Sequence, residues 1–572
     1  MRRTRMVAMT GAAALGVATF LGATTASAGP IQAPSSASTE SYLVLAKKGA
    51  DVTALATELS KAGATVTSVN TAIGMVTVTS SASDFLATAR AMAAVERAAT
   101  NGVLGRSPKA KDKKDNAVER PRFDEPGNSH GKSAHAKKGK KGAVDPLDHL
   151  LWGMDMIDAP EAHRVEMGDK RVTVGIMDTG VDATHPDIAP NFNHKLSRNF
   201  TTDIPDIDGP CEEADCIDPA TVDQSGHGTH VAGTIGAAMN GVGVSGIAPE
   251  VSLVNVRAGQ DAGYFFVGPT VNALTYSADV GIDVVNMSFY VDPWAFNCID
   301  GAPEDSDEEG QEQNATIEAV NRALEYAHDR NVTLVGALGN SALDLANPGT
   351  DTSSPNYPGP AHPRTIDNAT CFDLPVEGKH VIGVSSVGPS ERKAYYSNYT
   401  TDLESGEIEV SAPGGDYFDG GGDPANLILS SIPRNVALSE GSIDEDGNIT
   451  PFGEGWVYKD CRVVPGKGEQ CGYYEYYQGT SMASPHAAGV AALIVSTYGK
   501  VQGKAGYTLD ADTTAKILMD SARDKACPGG GGVYDYPDRP DSYNAECVGT
   551  EDFNGFYGDG IVNALSAVTH WS

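Results

Sequence analysis

A hydroxyl, an imidazole and a carboxylate stand at three separated points of the chain, each in a local sequence that would hold it at the edge of a buried element. Ser481 lies in Gly479-Thr480-Ser481-Met482-Ala483-Ser484-Pro485-His486, ahead of an Ala/Gly/Val/Leu/Ile run to Val495 that is too apolar to face water. Pro485 suits a helix's first turn, so Ser481 falls beside a helix N-terminus, where a lone serine is more often a cap than a nucleophile. Asp178 follows the apolar run 172–177 and opens Asp178-Thr179-Gly180, which by itself reads as a turn. The aspartic-protease use of that triplet needs a second copy in a matching strand context, and the sequence has none. His227 and His230, in Gly226-His227-Gly228-Thr229-His230-Val231-Ala232-Gly233, straddle the start of a helix. Zinc would need a further ligand, and the His-x-x-x-His spacing with a glutamate is missing, so a general base is the better reading of His227. Together Asp178, His227 and Ser481 supply the orienting carboxylate, the base and the nucleophile that acyl transfer requires.

To meet, these residues need a sheet whose strand ends converge. Apolar runs at 172–177, 251–256, 284–287, 332–337 and 381–387 read as strands buried on both faces, and helical patterns fit 229–238, 270–280, 315–330, 484–498 and 512–524. The alternation predicts an α/β domain over 147–572, with a mostly parallel central sheet and helices on both faces. Asp178 then sits at the C-terminal edge of that sheet, where such folds carry their sites. Segments 202–224, 292–313 and 414–478 interrupt the alternation and read as loops, the second strongly acidic from Glu304 to Glu312. Upstream, strands at 42–46, 64–69 and 73–79, helices at 52–62 and 82–98, and a last strand near 102–104 predict a ferredoxin-like α+β unit. Residues 106–146, with Lys137-Lys138-Gly139-Lys140-Lys141, read as a basic flexible linker.

Composition narrows the setting. Residues 1–142 carry a net charge of +10 and the remaining 430 carry −43, so the body is too acidic to favour nucleic acid or anionic membranes. Arg2, Arg3 and Arg5, an apolar stretch and Ala26-Ser27-Ala28 read as a secretory signal over 1–28, and no later run is apolar enough to anchor the chain in a bilayer. The eight cysteines agree with export and with disulfides. Local pairs Cys211–Cys216, Cys461–Cys471 and Cys527–Cys547 would leave Cys298 with Cys371, although spacing alone does not fix connectivity. A zinc site is the competing use, and no Cys-x-x-Cys supports it.

The segments around Asp178, His227 and Ser481 resemble the three signatures of the subtilisin-like serine proteases, the subtilase family, over about residues 147–572. The resemblance implies a three-layer subtilisin-like fold and a serine endopeptidase in which Ser481 attacks the scissile carbonyl, His227 relays the proton and Asp178 orients the imidazole. It implies an oxyanion hole made by the Ser481 N–H and Asn340, at the end of Gly336-Ala337-Leu338-Gly339-Asn340. Substrate would lie as an added strand against Ser288-Phe289-Tyr290, against Ala337, Leu338 and Gly339, and near Gly263. Phe289-Tyr290 replaces the family's usual Leu-Gly, which should narrow the cleft or shift the preference for side chains, and Leu338 replaces its usual alanine, which should alter the neighbouring pocket wall. Structural calcium would be held by Asp187, Asn240 and the carbonyls of Ala238, Val242 and Val244. The unit at 29–105 would be a propeptide that helps folding, inhibits the enzyme and is cut off by it near Gly105 or nearer Asp145. The implied product is a secreted, extracellular monomer acting on proteins or peptides, with its own propeptide as inhibitor. A narrow processing protease and a catalytically silent binding protein are the alternatives. The residue preceding the cut bond is left open.

Overall fold

The computed structural model describes residues 39–101, 118–121, 145–357, 360–464, 466, 468–502, 506–537 and 539–570. The expected signal at 1–28, the last strand near 102–104 and the lysine run at 137–141 lie outside them.

Residues 40–100 fold as β1 (Glu40–Ala46), α1 (Val52–Lys61), β2 (Thr65–Asn70), β3 (Met75–Ser80), α2 (Phe85–Arg90) and β4 (Val95–Thr100), an antiparallel sheet in the order β2-β3-β1-β4. The element order matches the expectation, but the second helix is much shorter than 82–98. Its Ala-rich tail instead gives β4, which pairs with β1 through Tyr42↔Thr100 and Val44↔Ala98. Sheet pairing has overridden local helix preference there. The two-residue strand period buries both faces: Tyr42, Val44, Val76 and Val78 pack under the unit's own helices, while Leu43, Leu45, Met75 and Ala99 join a second core. That second core belongs to the large domain.

The large domain is built on seven parallel strands. In chain order they are β5 (Thr173–Met177), β6 (Arg198–Asn199), β7 (Ser252–Arg257), β8 (Val284–Met287), β9 (Thr333–Ala337), β10 (Val381–Val387) and β11 (Val410–Pro413). Their spatial order is β11-β10-β9-β8-β5-β7-β6, every neighbouring pair parallel. Helices α3 (His227–Gly236) and α6 (Thr480–Tyr498) pack with one core cluster, and α4 (Val267–Val280) and α5 (Asp307–His328) with the other. This is a three-layer α/β fold.

Two of the three expected loops carry more structure than their composition suggests. The acidic stretch of the second opens α5, where Ser306 and Glu309 form a capping box and Asp307, Glu308 and Glu309 complement the helix N-terminus. The third contains an antiparallel three-stranded sheet of Ile428–Ile432, Val457–Val464 and Gly468–Tyr477. Four disulfides form, Cys211–Cys216, Cys298–Cys371, Cys461–Cys471 and Cys527–Cys547, which leaves no cysteine for zinc. Among the described residues no helix is long and apolar enough to cross a membrane.

Candidate active site

Asp178 leaves the end of β5 fully buried, its carbonyl accepting from the N–H groups of Ala258 and Gly259. One carboxylate oxygen, Oδ1, lies 2.7 Å from His227 Nδ1 and also accepts from the Thr179 N–H. His227 is the first residue of α3. A Cβ on Gly228 would stand 2.1 Å from the Gly180 carbonyl, so only glycine lets the helix start this close to the strand end. The sequence reading missed Asp223, whose buried carboxylate accepts from the N–H groups of Ser225, Gly226 and Thr229 and from the Thr229 hydroxyl. An Asp just ahead of a helix is the capping signal that could have found it.

Ser481 sits in the first turn of α6, beside the helix's positive end. Ser288 anchors this turn: its hydroxyl donates to the Ser481 carbonyl at 3.1 Å and contacts Ser484 Oγ at 2.8 Å. Asn340 follows β9, and its Oδ1 accepts from the Thr480 N–H and hydroxyl at 2.8 and 2.9 Å, which turns the amide NH2 into the cleft. The cleft is lined by Ser288, Phe289, Tyr290, Ala337, Gly339 and Gly263 as expected. Leu338 is the exception. Its side chain is fully buried with Phe296, Leu345 and Val376, and it forms no part of the cleft wall.

A segment without a sequence signal occupies the centre. Val118, Glu119, Arg120 and Pro121 lie across it, with the Gln478 N–H donating to the Glu119 carbonyl at 3.1 Å and Gln478 Nε2 to the Val118 carbonyl at 2.8 Å. Glu119 Oε2 is 3.5 Å from His227 Nε2, Oε1 accepts from Asn340 Nδ2 at 3.3 Å, and Ser481 hydrogen-bonds to the same carboxylate. Arg120 pairs with Glu440, donates to the Ser225 carbonyl and lies over the Tyr477 ring. Burial pulls the His227 pKa down, but the charges of Asp178 and Glu119 outweigh it and raise the imidazole well above its ordinary value. Burial likewise pushes Glu119 up, and His227, Ser481 and Arg120 bring it below the usual carboxylate range. An imidazolium therefore faces a carboxylate, and it cannot serve as a base in that state. His230 is no ligand: it stacks on Tyr477 at 4.4 Å, and burial lowers its pKa to about 3.

A subtilase family model matches residues 169–536, more than half of the chain. The chain belongs to the subtilase family. Its relatives include the major intracellular serine protease of Bacillus subtilis, 27% identical over 351 residues that cover 61% of this subtilase and 76% of the relative. Fervidolysin of Fervidobacterium pennivorans is 26% identical over 363 residues, which cover 62% of this chain and 39% of fervidolysin. In fold, this subtilase is similar to the epidermin leader peptide processing serine protease of Staphylococcus aureus, with a TM-score of 0.59 at 16% identity over 93% of this chain and 98% of that one. The subtilase is a serine endopeptidase, a hydrolase of peptide bonds.

Subtilases commonly bind structural calcium, but the expected loop does not fit an ion as it is arranged. Asp187 Oδ2 accepts from the Tyr474 hydroxyl at 2.7 Å and the Val244 N–H at 3.2 Å, and Oδ1 accepts from Asn240 Nδ2 at 3.1 Å. Asn240 gives its side-chain and main-chain oxygens to Arg462 Nη1, both at 2.8 Å. Donors already occupy both carboxylate oxygens of Asp187 and both oxygens of Asn240, the Arg462 guanidinium being the partner of Asn240. Ala238 contributes its N–H to the Asp187 carbonyl, and Val242 is fully buried. Excess chelator is therefore expected to leave the melting temperature within about 1 °C of its starting value, since no ligand bound only by the folded form is lost. A fall that disappears in Asp187→Asn would return calcium to this loop.

Proposed function

We propose that this chain is a secreted serine endopeptidase that cleaves proteins or peptides through Asp178, His227 and Ser481, and that it is made as a zymogen whose residues 39–121 inhibit it. The observation that carries this reading is the Glu119 carboxylate lodged among His227, Ser481 and Asn340, the three groups a scissile carbonyl would have to meet. With substrate there instead, Ser481 attacks, His227 takes its proton, and the oxyanion is held by Asn340 and the Ser481 N–H. Because a side chain and not a main-chain carbonyl occupies that seat, the segment blocks the centre without offering it a bond to cut.

The docking of the N-terminal unit supports the same reading. Arg322 on α5 donates to the carbonyls of Ala46 and Ile73 and pairs with Glu96, Arg90 pairs with Glu308, and Asn70 Nδ2 donates to Asn272 and Thr275. The apolar face of β1 and β3 completes the core against α4 and α5, as a folding helper would. Export agrees with four disulfides, which persist in oxidising compartments. A narrow processing role is the second reading. It is favoured by Phe289, which stacks on Phe265 at 4.0 Å and fills part of the substrate groove.

The latch has a pH sign. A histidine with a raised folded pKa contributes stability that is complete below about pH 6.5 and is lost as pH rises through the raised value. Glu119, held low, keeps its charge across that window, so self-processing should accelerate on the alkaline side. Glu119→Gln removes one of the charges that raise His227 and should quicken self-processing at neutral pH severalfold. Precursor half-life against pH, with N-terminal sequencing of the product, measures this. An unchanged half-life in the variant would contradict the latch, and a precursor that never shortens would contradict the zymogen.

A further inference from the structure

We propose that the enzyme selects arginine on the leaving-group side of the bond it cuts, within the first three residues, through a pocket made by Glu440, the Ser225 carbonyl and the Tyr477 ring. The proposal rests on the peptidase reading above and names the substrate class of that same site. The pocket is seen filled. The Arg120 side chain, 18% exposed, pairs through Nη1 with Glu440, donates from Nη2 to the Ser225 carbonyl at 3.0 Å and lies 4.5 Å over the Tyr477 ring. Its neighbour Glu119 carries the carboxylate lodged among His227, Ser481 and Asn340. Successive Cα atoms are about 3.8 Å apart, so the pocket lies within a few residues' reach of the bond. His227 passes its proton to the leaving amine, and the chain beyond the cut therefore departs along the flank of His227. Ser225 and Gly226 are the two residues directly before it.

Two of the walls come from the third of the expected loops, 414–478. Glu440 closes the short helix Arg434–Ser439, its N–H donating to the Val436 carbonyl at 3.0 Å. Asn435 on the same helix donates through Nδ2 to the Asp223 carbonyl at 3.1 Å and to Gln224 Oε1 at 2.6 Å, which fastens the helix to the turn that carries Ser225. Tyr477 ends the strand Gly468–Tyr477, pairs with Ile428 and stacks on His230, so its ring is fixed. Gly226 forms the floor. Its φ is 92°, and a Cβ there would stand 3.1 Å from a Val436 methyl and 3.6 Å from Arg120 Nη2, so glycine keeps open the depth that the guanidinium uses.

These contacts are particular to arginine. Its planar group meets two acceptors from two different nitrogens while its face covers an aromatic ring. Lysine is a compact point charge, with no fork to span Glu440 and the Ser225 carbonyl and no flat face to lay on Tyr477. Leucine supplies no donor to either oxygen, and glutamate offers only further acceptors. A substrate arginine that enters after the N-terminal segment has left remakes the contacts that Arg120 makes now.

The test uses the full chain, incubated until a sample takes up a fluorophosphonate label, and peptides that carry Arg, Lys, Leu or Glu at each of the first three residues after the cut bond. The expected result is that one of these positions shows a kcat/KM for Arg about 30-fold above Leu, the size of a hydrogen bond to a charged group, and severalfold above Lys. Glu440→Gln should bring the Arg-to-Leu ratio down to about threefold. Equal rates for Arg and Leu at all three positions would overturn the proposal, as would an unchanged ratio in the variant. Should the variant not fold, blocked peptides of residues 118–121 decide. The native sequence should inhibit the processed enzyme about 30-fold more strongly than the same peptide with Arg120→Leu, and equal inhibition would overturn the proposal. A chain that labels but shows no arginine preference sinks this inference alone, whereas one that neither labels nor cleaves sinks the peptidase reading with it.

Discussion

Ser481→Ala should abolish casein hydrolysis, with turnover falling by about 10⁶, the loss that removal of the nucleophile causes in a subtilisin. The size follows from chemistry that no neighbour can replace. Ser481 is the hydroxyl held beside the N-terminus of α6 by Ser288, within reach of the donor Asn340. Ser484, the next hydroxyl on the helix, is fully buried and bonded to Ser288, so it cannot substitute. The fold should be unaffected, because Ser481 Oγ makes only a long 3.4 Å bond to the Ser288 carbonyl and its contact with Glu119. The variant should therefore accumulate as an intact precursor with a native melting temperature. Residual casein cleavage at more than a thousandth of the native rate would place the nucleophile elsewhere.

Asp178→Asn should cost about 10⁴ in kcat with little change in KM. The carboxylate Oδ1 lies 2.7 Å from His227 Nδ1, which leaves Nε2 facing the cleft. An amide there presents either an N–H to that nitrogen or a weaker acceptor, and the tautomer with Nε2 free as base is no longer favoured. Asp178 is fully buried, so the change also removes a charge that raises His227. The rising limb of the pH profile should move to lower pH together with the loss of rate. A fall in rate with an unmoved profile would mean that Asp178 acts through packing and not through the imidazole.

The sequence made Asp178, His227 and Ser481 legible because each sits in a short segment with a plain local signal: a strand end, a helix start with glycines, a helix mouth. The five long strands were equally readable, since a parallel sheet covered on both faces demands unbroken apolar runs. The two edge strands were not. Arg198–Asn199 is too short and polar, and Val410–Pro413 is broken by Ser411 and ends in Pro413, so neither forms an apolar run. The opening of α5 was misread because its acidic first turn masks the helical period, although Ser306 and Glu309 spell a capping box. The shortened α2 shows the opposite error, where alanines fit a helix locally and the β1 edge claimed them for β4.

Two features of the site had no motif to betray them. Glu119 lies in a polar, mostly basic stretch, and its place in the cleft depends on backbone bonds to Gln478 and on Arg120 meeting Glu440 and Tyr477, all remote in the chain. Asp373, which also lines the cleft, is placed there only through the Cys298–Cys371 bridge and the paired strands around it. The surroundings of the expected calcium loop were hidden for a related reason. Asp187 and Asn240 match the motif, but Tyr474 and Arg462, from a distant hairpin, supply the donors that take the ion's place.

The central claim is that Ser481, activated by His227, is the nucleophile. Its most direct test is to treat the self-processed chain with a fluorophosphonate and locate the adduct by peptide mass spectrometry. The account predicts one adduct, on Ser481, that forms faster as pH rises and is absent from Ser481→Ala. An adduct on another residue, or casein hydrolysis that persists after full labelling of Ser481, would contradict it.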